Sequence, residues 1–270
     1  MVGRLVAGAC QVLTTADALA KAQAALDLAA GWDAGTLTFM AADLPLRPAR
    51  PARPELRLPR DMPRRRMGGG TKGRIAMLHA LAHIELNAID LACDILARFA
   101  CGLPPEFATD WLNVAAEEAK HFMLLSARLR AYDAGYGDLP AHDGLWQAAD
   151  ATADDVLARL AVVPMVLEAR GLDVTPMMIE RMTALGDEES AAVLKVIYQD
   201  EIGHVATGQR WFDRIARCRG LDPLPAWQDL VRRRFKGALK RPFNAAARDA
   251  AGLPGDYYEP LAEPAGDLVP

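Results

Sequence analysis

Two glutamates of this chain fall in stretches that a helix would otherwise bury as purely apolar, and each is followed 33 residues later by a glutamate with a histidine three positions beyond it. Glu85 comes after Ala82 and Ile84, and Glu168 after Val163, Met165, Val166 and Leu167; the later partners are Glu118-x-x-His121 and Glu201-x-x-His204. Side chains at i and i+3 stand one above the other on a helix, so a carboxylate and an imidazole at that spacing reach one ion without bending the backbone. With 12 glutamates and 5 histidines in 270 residues, independent placement would give about 0.2 such pairs. Two are present. An unpaired carboxylate in a helical core costs several kcal/mol or takes up a proton, so a core glutamate requires a cation or a hydrogen-bond partner.

The hydrophobic period around these residues is helical. Four long segments with few internal breakers, about 75–101, 108–134, 153–171 and 187–217, predict an all-α fold built as an antiparallel four-helix bundle. Gly135, Gly137, Pro140 and Gly144 mark a crossover between the second and third segments. Thr175 and Pro176 predict a separate short helix before the fourth, with the threonine as cap and the proline in the first turn. Pro164 predicts a kink near Glu168, and Gly171 reads first as a helix C-cap and second as a missing side chain on the inward face. Ahead of the bundle, Thr15 to Trp32 predicts one amphipathic helix with Asp17 near its start. Leu44 to Arg74, with six prolines, nine arginines and the run Gly68, Gly69, Gly70, predicts an extended arm. After Gly220 come one basic helix, about 226–250, and a Pro-rich tail. The organisation expected is residues 1–74 as N-terminal helix and arm, 75–217 as the bundle with its site, and 218–270 packed on it, one structural domain overall.

A formal net charge of -4 and a pI near 5.8 exclude a global attraction for nucleic acid or anionic membrane. Local basic runs remain: Arg64, Arg65 and Arg66 in the arm, then Arg232, Arg233, Arg234, Lys236, Lys240 and Arg241. They keep a nucleic-acid partner as a minor reading, against a solvated arm without interleaved aromatic residues to stack bases. No stretch approaches membrane-spanning length and no signal-type h-region is visible, so the expected location is cytoplasmic. Cys10, Cys93, Cys101 and Cys218 match neither a zinc spacing nor a disulfide framework, which predicts reduced thiols.

Two helix pairs of equal register would gather Glu85, Glu118, His121, Glu168, Glu201 and His204 around two ions. Four carboxylates offset two divalent cations, and one histidine per metal leaves positions open for oxygen or water. Glu117 and Asp200 precede the motif glutamates and are candidates to hydrogen-bond the second nitrogen of the opposite histidine, or else solvated carboxylates on the next face. Tyr198, one turn before Glu201, is a candidate donor or radical site, or a packed core tyrosine. His79 and His83 read as core or surface histidines, and His142 and Asp143 as solvated loop residues.

These six residues match the ligand positions of the ferritin-like di-iron carboxylate proteins, which the chain resembles; that group includes ferritins, ribonucleotide reductase small subunits, acyl-carrier-protein desaturases and a tRNA-modifying hydroxylase. More narrowly, LHALAHIELNAIDLA, YGDLPAHDGLW, VLEARGLDVTP and DEIGHVATGQRWF look like the bacterial ferritin-like family known as domain of unknown function 455, from the arm to RPFNAAARDAAGLP. The resemblance implies a ferritin-like bundle, two iron ions as cofactor with manganese or a mixed manganese/iron pair as alternatives, and a non-haem oxidoreductase that activates dioxygen. Its implied partners are dioxygen, a small organic substrate and an electron-donor protein, with a monomer or dimer as the assembly and no membrane. The alternatives are iron binding or iron oxidation without an organic substrate, and a tRNA-modifying hydroxylase.

Overall fold

Asp17 fixes where the first predicted helix begins, its carboxylate accepting from the Ala20 N–H at 2.8 Å, so that α2 runs Ala18–Asp33. A helix the sequence reading did not anticipate precedes it: α1 (Leu5–Thr14) buries Leu5, Val6, Ala9, Val12 and Leu13 along one stripe. Ten residues are too few for a stable isolated helix, so packing rather than propensity forms α1. The structure is a computed structural model describing residues 3–62 and 70–263. It is all-α except for β1 (Gly3–Arg4) and β2 (Leu37–Thr38), a two-residue parallel pair. Its contacts divide the chain into two compact units, Met1–Gln147 and Ala148–Pro270.

In the first unit the two expected long helices are α3 (Thr71–Phe99) and α4 (Pro105–Arg130), joined by a short turn and packed on each other along their length. Helix α1 lies on α3 and α2 on α4, with Trp32 Nε1 donating to Thr109 Oγ1 at 2.8 Å. The arm is extended through Met62 apart from one 3-10 turn at Pro59–Asp61, but its predicted end is helical, since α3 starts at Thr71. It is strapped down by backbone bonds: Ala49 N–H to the Leu13 carbonyl, 2.8 Å, and Arg57 N–H to the Ala141 carbonyl, 2.8 Å. Among its described arginines Arg50 is drawn inward, 14% exposed, while Arg47 stays at the surface. Arg50 meets Asp90 and Asn87, and Arg47 meets Asp143. The fully buried Lys21 of α2 donates to the same Asp90 and to the Ala49 carbonyl at 3.0 Å. One carboxylate on α3 thus ties the arm, α2 and α3 together. The predicted cluster Arg64, Arg65 and Arg66, with Gly68 and Gly69, lies outside the described residues.

In the second unit Asp155 caps α6 (Val156–Val162), accepting from Leu157 N–H at 3.2 Å. Pro164 has no N–H for the helical ladder, and the chain answers with a π-helical turn, Val163–Glu168, before continuing as α7 (Ala169–Ala184). The kink expected at Pro164 is therefore one widened turn. Thr175 and Pro176 do not start a separate helix, because α7 runs through Pro176. Gly171 is not a C-cap but an interior residue of α7, where an added Cβ would meet nothing within 4 Å. Asp187 then caps α8 (Glu188–Cys218), which packs on α6, the π turn and α7. The single basic helix expected after Gly220 is two pieces, α9 (Pro223–Arg234) and α10 (Ala245–Ala250), followed by the short α11 (Gly255–Tyr258). Across the boundary between the units α5 (Gly144–Asp150) occupies the end of the predicted crossover.

Among the described residues no helix is long and apolar enough to cross a membrane, and all four cysteines are unbridged.

Replacing Asp90 by Asn strands the charges of Lys21 and Arg50 in a buried site, which should cost about 3–5 kcal/mol. Urea unfolding of Asp90→Asn measures it, and a loss below about 1 kcal/mol would show that the arm is held by its backbone bonds alone.

Candidate metal centre

The polarity of α3 is inverted where its chemistry lies. Ile84 is 44% exposed, while its neighbour Glu85 is 3% exposed. Glu85 faces α4, where Glu118 and His121 share one helical face and are both fully buried. His121 Nδ1 stands 3.2 Å from Glu85 Oε2 and 3.4 Å from Glu118 Oε2, and candidate ligand atoms of the three residues lie within 4.8 Å of one another. Burial, and then the charge of Glu118, raise the Glu85 carboxyl well above the ordinary carboxylate range. For His121 burial disfavours the charged ring, but hydrogen bonds to Glu118 and Glu85 and their negative charge outweigh it and push the pKa up to about 11. A proton on the imidazole does what a cation would do: it makes two adjacent buried carboxylates tolerable.

In the second unit α8 carries Glu201 and His204 one turn apart, 8% and 1% exposed. His204 Nδ1 approaches Glu201 Oε1 at 3.6 Å, an electrostatic contact longer than a hydrogen bond. Glu168 closes the π turn and is half-buried. Single π turns recur at functional sites because they displace a side chain from its helical position. This one, which contains Pro164, is closely packed against α8. Gly208, seven residues after Glu201 and so on the same face of α8, lies against Pro164, and a Cβ on it would sit 2.4 Å from the Pro164 ring.

Carboxylate oxygens with imidazole nitrogens suit hard or borderline divalent cations, and no thiolate joins them. The buried group of carboxylates and histidine in the first unit is thus able to hold a metal ion, and its donor set fits one.

The remaining candidates have other surroundings. Glu117 and Asp200 are half-buried beside their motif glutamates. Tyr198 is half-buried, and its hydroxyl accepts from Asn244 Nδ2 at 2.9 Å, which ties α8 to the start of α10. His79 and His83 are core histidines, as expected, and they hold down the crossover. His79 Nε2 accepts from Gly137 N–H at 2.9 Å; His83 Nε2 donates to the His142 carbonyl at 3.0 Å and its Nδ1 accepts from the Tyr136 hydroxyl at 2.9 Å. His142 and Asp143 are half-buried rather than solvated, and Asp143 receives Arg47. In the basic C-terminal run Arg233 faces Asp229, Arg234 faces Asp154 at 2.6 Å and Arg241 faces Glu259.

A family model described as "Protein of unknown function (DUF455)" matches residues 14–259. The chain belongs to the DUF455 family. An uncharacterized protein of Haemophilus influenzae is 41% identical over 209 residues, which is 75% of this chain and 72% of that one. No solved structure matches the chain. The narrower of the two resemblances is therefore borne out.

One group in this DUF455 chain was invisible to the sequence reading: the buried pair of Asp173 on α7 with Arg248 on α10, at 2.8 and 2.7 Å. Arg248 sits in the segment RPFNAAARDAAGLP, and the only available signal was a lone basic residue among alanines. Such a residue reads as a solvated helix face unless its partner is known.

Gly208→Ala overpacks the contact with Pro164 and should cost about 1–3 kcal/mol in stability. Urea unfolding gives the number, and an unchanged midpoint would mean that the π turn yields without penalty.

Proposed function

We propose that Glu85, Glu118 and His121 of the first unit and Glu168, Glu201 and His204 of the second close on each other as the ligands of one two-metal centre in a ferritin-like four-helix arrangement. The metals are iron, and the protein is an oxygen-activating oxidoreductase acting on a small organic molecule. The observation that carries this reading is the buried triad itself: two carboxylates and an imidazole taken out of water together on α3 and α4. The second triad has the same residue types in the same order and at the same 33-residue separation, and its glutamate–histidine pair is buried as well.

In this arrangement each Glu-x-x-His grips an ion from one helical face, while Glu85 and Glu168 supply the carboxylates from the partner helices. The four carboxylates balance two divalent charges. Burial of the donors excludes bulk water and fixes their rotamers, which keeps the site pre-organised. Iron bound there would supply the electrons for reducing dioxygen. Manganese shares the donor preference, and the resemblance to di-iron proteins selects iron.

Protein produced with iron and purified without oxygen should carry about two ions per chain and change its near-ultraviolet absorbance when air is admitted. Glu118→Ala and Glu201→Ala should each abolish that change. Less than about one ion per chain after loading with iron, manganese or zinc would sink the reading; so would an unchanged response in both variants.

A further inference from the structure

In the second unit a pocket of about 140 Å³ borders the π turn. Val166 and Leu167 form part of its wall and immediately precede Glu168. The rest of the apolar wall comes from the chain after α9: Phe235, Ala238, Leu239 and Phe243. Val166 and Leu239 are each 6% exposed and form its buried end, whereas Ala238 and Lys240 are exposed and mark its mouth.

The segment that supplies this wall is held in place by its backbone. Leu239 N–H donates to the Leu261 carbonyl at 3.2 Å, and the Leu239 carbonyl accepts from Glu263 N–H at 2.8 Å. Arg170 Nη1 donates to the carbonyls of Lys240 and Pro242 at 2.8 and 3.0 Å, and the Phe243 ring stands edge-on to Tyr258 with centroids 4.7 Å apart. The charged residues of the lining are committed elsewhere. Arg170 and Arg248 both pair with Asp173, at 3.4 and 2.7 Å, and the exposed Lys240 keeps its ammonium in water while its methylene stem covers apolar surface. With these polar groups spent, the pocket offers a ligand shape and apolar surface. Its volume is close to the roughly 150 Å³ of an apolar cavity that holds benzene, and too small for a long acyl chain.

We propose that this pocket binds a small neutral organic molecule of about the size of benzene, held by apolar contact with Val166, Leu167, Phe235, Leu239 and Phe243. That the pocket takes such a molecule stands on its own; that the molecule is the substrate of a metal centre rests on the function proposed above, and on Leu167 being the chain neighbour of Glu168.

Fluorobenzene is the probe. Fluorine NMR on the full chain, with metal and after chelation, should show saturable binding in both states. Trifluoroacetate, a charged probe without the apolar body, should bind at least about tenfold more weakly. Ala238→Trp places a bulky ring at the exposed mouth and should weaken fluorobenzene at least about tenfold without moving the thermal midpoint. Leu167→Trp fills the pocket and should abolish binding. No saturable binding of fluorobenzene, equal affinity for trifluoroacetate, or full binding by both Ala238→Trp and folded Leu167→Trp overturns the pocket, and the metal content of the same samples judges the metal reading separately. In cobalt(II)-loaded protein the bound fluorine should relax faster than in zinc-loaded protein; equal relaxation overturns the molecule's role as the metal centre's substrate.

Discussion

A carboxylate taken out of water inside a helix pair must find a proton or a cation, and α3 meets that requirement in two ways only five residues apart. At Asp90 the protein brings its own cations, Lys21 from α2 and Arg50 from the arm. At Glu85 an imidazole stands between two carboxylates, and the charge balance is met by holding protons far above their ordinary range. The first solution is structural, because both charges are spent on tying the arm and α2 to the helix. The second leaves exchangeable protons where a metal ion could take their place. The inversion at Ile84 and Glu85, with the apolar residue out and the acidic one in, shows that the carboxylate is placed inside against the ordinary partition of side chains.

The second unit relies on backbone devices. Pro164 removes a ladder hydrogen bond and Gly208 removes a side chain, so α8 can approach the widened turn that ends at Glu168. Either residue alone would leave a clash or a gap. A cavity of about 140 Å³ runs along Val166 and Leu167 of the same π turn. Arg248 and Asp173 fasten the chain after α9 onto α7 and close that cavity from a distant part of the sequence.

How much of this could be read beforehand depends on whether the cause is local. The long helices, the Asp17 start and the extended arm follow from periodicity, capping and proline content, all carried by neighbouring residues. So does the pairing of Glu118 with His121 and of Glu201 with His204, because helical spacing alone puts them on one face. The split of α9 from α10 falls at Gly237 and Pro242, local breakers inside the run expected as one helix. The errors at Thr175 and Pro176 and at Gly171 have another origin. Each position satisfies a local stop or start rule that packing against α8 or the C-terminal loop overrides, and boundary signals are weak enough, about 1 kcal/mol, to be overridden. Helix α1 was missed for the converse reason: its apolar residues recur at helical spacing, but ten residues without a side-chain cap are too short a run to stand until a core receives them.

By itself the sequence determined the all-α class, the family and the two glutamate–histidine pairs on single helical faces, because these depend on residue types at fixed helical intervals. Only the tertiary structure decided that Arg50 and Arg47 of the arm reach Asp90 and Asp143, that Pro164 becomes a π turn against Gly208, and that Arg248 is buried on Asp173. Each of those outcomes joins residues at least 40 positions apart. Such pairings are set by which buried charges and voids must be resolved together, and no local pattern records them.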